Sequence, residues 1–119
     1  MVQMTMQVSN DLAKRLQPIR FWLPAIIELS LVGFKTPATE TASEIIRFLS
    51  TNPSSQEVLG YHVSKRAQAR LRRLLTLNEA GVLGATEQLE LDELQQIEHI
   101  IIMIKAQIAE QLQHKGQCH

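Results

Sequence analysis

The chain has one cysteine, Cys118, so no intramolecular disulfide can form and packing alone must hold the fold together. That usage suits a reducing compartment. Aromatic residues are nearly absent at 4 %, so the core of this 119-residue chain has to be built from aliphatic side chains. No excess charge of either sign exists: 12 basic residues balance 12 acidic ones. The total therefore lacks the strongly basic signature of a nucleic-acid or anionic-membrane binder. The longest apolar runs, Phe21–Ile27 and Ile100–Ile104, fall far short of the roughly 20 residues that span a bilayer. Near the N-terminus Asp11, Lys14 and Arg15 interrupt any apolar run, which argues against a secretory signal. Together these features point to a cytoplasmic protein with no membrane role.

Catalytic patterns are missing as well. There is no glycine-rich phosphate loop, no nucleophile elbow and no HExxH. The adjacent acids Asp92 and Glu93 read as a solvated face. Glu98 and His99 are sequence neighbours, which point about 100° apart on a helix and cannot share a metal. His62 falls in a loop. His114, Cys118 and His119 in the tail lack the four paired ligands of a structural zinc site. The expectation is no catalytic residue, no cofactor and no metal.

What is present is a mainly α pattern: a short strand, about five helices, and a closing antiparallel helical hairpin whose last helix is long. Residues 3–8 alternate polar and apolar, with Met4, Met6 and Val8 on one side and Gln3, Thr5 and Gln7 on the other, a strand period. Ser9 and Asn10 cap a helix carrying Leu12, Leu16 and Ile19, with Pro18 either kinking it or starting another. Pro24 opens a second helix that Gly33 ends. Residues 35–39 read as a linker. Thr41 with Glu44, and Ser54 with Glu57, form capping boxes, and Asn52-Pro53 separates the two helices they open. Ser64 caps a helix of about 15 residues, Gly81 and Gly84 mark a turn, and Thr86 caps the last helix, which runs to about Gln113. Its seam is Leu94, Ile97, Ile101, Ile104, Ile108 and Leu112. The organisation is then a strand-helix-helix module at 1–34, a helical region at 40–113 and a flexible tail at 114–119, in one domain.

Charge is segregated between the hairpin's helices. Lys65, Arg66, Arg70, Arg72 and Arg73 lie on the first, with no acid among them; Glu87, Glu90, Asp92, Glu93 and Glu98 lie on the second, with no base among them. Either the two sets pair along the hairpin, or the bases form a patch for nucleic acid or an acidic partner. Lys65 and Arg66 stand out because positive charge near a helix N-terminus opposes the helix dipole. The run Ile100–Ile104 is apolar on every side of its helix, so that helix is either central in the monomer or lies at a dimer interface. Ile97, Ile100, Ile101, Ile104 and Ile108 are the interface candidates.

The segment Met4-Thr-Met-Gln-Val-Ser-Asn-Asp-Leu-Ala-Lys-Arg-Leu16 resembles the start of ribbon-helix-helix proteins, many of which are antitoxins. The resemblance implies a homodimer in which strands from two chains pair as a ribbon. Gln3, Thr5 and Gln7 would read DNA bases, Met4, Met6 and Val8 would face the dimer core, and Asn10 or Asp11 would cap the first helix. The strand carries no Arg or Lys, unlike the usual family pattern. Arg15-Leu-Gln-Pro-Ile19, Asn78-Glu-Ala-Gly81, and Glu98-His99 followed by Lys105-Ala106 also resemble small, antitoxin-like bacterial proteins common in photosynthetic bacteria. These likenesses imply a non-catalytic dimeric regulator that binds a toxin-like partner protein and DNA. A helical adaptor with no DNA role is the alternative.

Overall fold

The computed structural model describes residues 2–117, with side chains to 113. His114, Cys118 and His119, named above as a weak metal set, lie outside the described side chains. The chain is mainly helical, with six α-helices among the described residues: α1 (Asn10–Leu16), α2 (Leu23–Leu31), α3 (Ala38–Ser50), α4 (Ser55–Leu59), α5 (Lys65–Glu79) and α6 (Ala85–Gln117). A 3-10 turn, Gln17–Ile19, joins α1 towards α2. Pro18 therefore ends α1 in a tightened turn instead of kinking a longer helix.

The strand expected at residues 3–8 is not formed: these residues carry no regular structure and lie exposed. A strand needs a second strand to satisfy its backbone, and the described part of the chain offers none. Residues 2–9 form an exposed arm without regular structure.

α6 is the central element, packed by α2, α3, α4 and α5. At 33 residues it is about 50 Å long, the long dimension of the molecule. Leu91, Leu94, Ile97, Ile100 and Ile108 on α6 meet Trp22, Leu29, Ala42, Ile45, Leu49, Val58 and Leu74 in one core. The aliphatic composition thus yields the core through helical spacing on each element. Trp22 joins it at 4 % exposure, and its indole Nε1–H donates to the Pro53 carbonyl at 3.1 Å, tying α2 to the α3–α4 loop. No helix among the described residues is long and apolar enough to cross a membrane.

Helix ends follow local chemistry. The Ser54–Glu57 capping box is complete, and Ser64 Oγ accepts from the Ala67 amide at 3.2 Å. Two expected starts are displaced. α3 begins at Ala38, not after Thr41: Thr36 Oγ1 accepts from the Ala38 amide, and Thr41 is buried one turn inside the helix. Glu44 is thereby freed from capping and accepts from the Ser64 amide at 2.8 Å. α6 begins at Ala85, one residue before the expected Thr86 cap, with Glu87 Oε1 accepting from the Gly84 amide.

The first buried residue is Trp22, and α1 buries nothing. Residues 2–20 therefore project from a body that starts at the turn before α2. The radius of gyration, 16.8 Å, exceeds the roughly 13–14 Å of a compact chain of this length, as a projecting arm and an overlong α6 require.

Candidate interaction surfaces

Glu93, Glu90 and the Tyr61 hydroxyl are brought inside the body. Glu93, read from the sequence as half of an exposed acidic pair, is 6 % exposed, while Asp92 remains in solvent. Its carboxylate accepts from the Lys35 amide at 2.9 Å, the Thr36 amide at 3.2 Å and the Thr36 hydroxyl at 2.5 Å. Burial is the largest single influence and pushes its pKa up. The hydrogen bonds from Thr36 and Lys35, with the charge of Lys35, together outweigh burial and hold the carboxyl below its usual range. The expected linker at 35–39 is thus strapped to α6.

Glu90, one turn earlier, is also buried and receives Arg70 through two bonds, Nε at 2.8 Å and Nη2 at 2.9 Å. This is the only ion pair among the described residues. Hydrogen bonding to Glu90 makes the Arg70 guanidinium harder to deprotonate. Of the two readings of charge segregation, pairing applies to Arg70. Lys65, Arg66, Arg72 and Arg73 stay exposed. Arg66 and Arg73 flank a cleft of about 430 Å³ with Glu40, Glu44 and Glu90 on its other walls, a lining of mixed sign.

A third inward group is Tyr61. Its ring stacks on Phe48 at 4.2 Å, its carbonyl receives Lys105 Nζ at 2.8 Å, and its hydroxyl is buried without a hydrogen-bond partner among the described residues. Burial, then the nearby Glu44 charge, raises the Tyr61 pKa. Glu90 and Glu93 carried a signal that sequence reasoning passed over: seven and four residues before Ile97, they extend its buried seam backwards.

The expected site residues fall on three elements. Gln3, Thr5 and Gln7 are exposed on the arm, and so are Met4 at 91 %, Met6 at 67 % and Val8 at 36 %. Lys65 and Arg66 are exposed in the first turn of α5. On α6, Ile97, Ile100 and Ile108 are buried in the chain's own core, and Ile101 and Ile104 are partly buried against it. The run Ile100–Ile104 is therefore central on one side only, and Ile102 and Met103 remain in solvent on the other.

No family model, characterised protein or solved structure matches the chain.

The large apolar side chains that the fold leaves uncovered are unevenly distributed along the chain. Of the fourteen exposed large hydrophobic side chains among the described residues, eight belong to the first 31 positions: Val2, Met4, Met6, Val8, Leu12, Phe21, Ile27 and Leu31. Scattered single apolar residues are ordinary on a protein surface, whereas these eight are concentrated in one quarter of the sequence. No group of three His, Cys, Asp or Glu side chains close enough to hold a metal occurs among the described residues.

Proposed function

We propose that the protein is a non-catalytic, dimeric interaction module that assembles through its N-terminal quarter. The observation that carries this reading is the arm: residues 2–9 bury nothing in their own chain yet expose Val2, Met4, Met6 and Val8. Exposure of this kind is unfavourable unless a partner covers it, at about 25 cal/mol per Å² of apolar area. The non-catalytic part is supported by the inward carboxylates, Glu90 and Glu93, both engaged by structural partners within the fold. Light scattering on the full chain and on one lacking residues 2–9 tests the proposal. The full chain is expected to be a dimer and the shortened one a folded monomer; a shortened chain that stays dimeric overturns it.

A second reading, the antitoxin-like regulator with a toxin-like partner and a DNA site, is favoured by the exposed polar row Gln3, Thr5 and Gln7 opposite the apolar row. Pairing of two arms would leave that row facing outward, with Lys65 and Arg66 as further contacts. Its test is duplex-DNA binding across a salt series. A regulator binds with affinity falling steeply in salt, and Lys65→Ala with Arg66→Ala flattens the slope by about one unit for each phosphate no longer neutralised. No binding at low salt removes the DNA role and leaves the adaptor.

A further inference from the structure

The geometry points to a second copy of this chain as the cover for the open face of α2, the arm of each copy lying across α2 of the other. This rests on the assembly reading above and specifies which surfaces meet.

Three observations converge on it. First, α2 presents an unpartnered apolar stripe: Pro24 exposed, Ile27 at 41 % and Leu31 at 78 %, at helical spacing. Phe21 and Pro24 border a dent of about 130 Å³ whose α6 wall is Ile104, Gln107, Ile108 and Gln111, a space on the scale of one side chain. Second, arm and stripe match in charge and length. Residues 2–10 carry no charge, and Glu28 is the only charged residue of α2. Eight extended residues reach about 26 Å, ample for the roughly 15 Å from Phe21 to Leu31. Alternate residues of an extended arm repeat every ~6.6 Å, close to the ~6 Å rise over four helical residues. The neighbouring arm side chains Met4 and Met6 therefore match the four-residue step from Ile27 to Leu31, and methionine is suited to filling an irregular dent. Third, the chain as folded brings the two surfaces together nowhere: Met4 and Leu31 are among its most exposed side chains. Reciprocal exchange between two copies covers both surfaces on both chains and closes the assembly at two.

The experiment compares Met4→Glu/Met6→Glu with Ile27→Glu/Leu31→Glu, each alone and mixed in equal amounts, by sedimentation velocity, with circular dichroism confirming that each folds. All four positions are exposed, so the monomer fold is expected to survive. Each variant alone is expected to be monomeric. The mixture is expected to recover a heterodimer weaker than the wild-type dimer, because one intact arm meets one intact α2 face. The inference is overturned while the assembly reading stands if the arm variant dissociates but the α2 variant dimerises like wild type and the mixture gives no complementation; arms then pair with arms. A wild-type chain that is monomeric at all concentrations, or a dimer that both variants preserve, overturns both.

Discussion

Glu93 joins α6 to the strap before α3 through three hydrogen bonds at one carboxylate, two of them from backbone amides. Substituting Glu93→Gln keeps the shape but replaces one acceptor oxygen with a donor that faces donors. A loss of about 2–3 kcal/mol is expected in urea denaturation. The carboxyl's folded pKa is depressed, so its stabilising contribution is fully present above the unfolded value of about 4.3 and disappears as pH falls through the lower folded value. The stability difference between wild type and Glu93→Gln should therefore be constant near neutral pH and shrink only below about pH 4.3. A constant difference down to pH 2 would show that the ionised form is not what the strap requires. Arg70 behaves differently because it is 41 % exposed while Glu90 is buried. Solvent weakens the attraction, and Arg70→Ala should lose about 1–2 kcal/mol, mostly from stranding the Glu90 carboxylate. A double-mutant cycle with Glu90→Gln reads the coupling directly. Pairing of Arg70 across the hairpin was one of the two readings that the charge segregation offered, but the burial of Glu93 was not legible by residue type: an acid in a charged run looks solvated, and only its phase relative to Ile97 marks it as inward.

At the scale of elements, the sequence spoke most clearly where a local signal did not compete with packing. Ser54, Ser64, Gly33 and the two-glycine turn before α6 lie where their capping and turn chemistry places them. Gly81 closes α5 with its amide donating to Asn78 and the Val82 amide to Leu77, the double bond of a Schellman end. Thr41 failed as a cap because its helix had a better start in Thr36, itself fixed by a carboxylate 57 residues away that no local window contains. The strand failed for a related reason, since alternation signals readiness to pair and not the presence of a partner. Gly33 and Gly81 stand at φ +69° and +71°, and a Cβ on either would meet nothing within 4 Å. Gly33→Ala and Gly81→Ala therefore isolate the left-handed backbone term. Each should lose about 1–2 kcal/mol in thermal or urea unfolding, with no change in oligomeric state. A neutral result at either site would mean that the helix end relaxes out of the left-handed conformation.

For the whole molecule, the segments within the expected 1–34 module differ in how far they are packed. α2 belongs to the core through Trp22 and Leu29, whereas α1 has no buried residue and only Leu16 and Ile19 before Trp22 are half-buried. Opening free energies across a protein range from near zero at uncovered segments to the global value in the core, and proteolysis follows that range. Lys14, Arg15 and Arg20 lie in the uncovered part, whereas Arg66, Arg70, Arg72 and Arg73 sit in the fifteen-residue α5, anchored by Leu74. Brief trypsin treatment at low protein concentration should cut first after Lys14, Arg15 or Arg20 and leave a body that keeps its helicity and melting temperature. Raising the protein concentration should slow that first cut, because assembly pins the arm at residues 2–9 and so ties α1 down at both ends, while cleavage within α5 continues to report global unfolding. Mass spectrometry of the early fragments checks both. A first cut in α5 would place the weakest region inside the body, and an N-terminal cut whose rate ignores concentration would mean that the arm stays uncovered in solution.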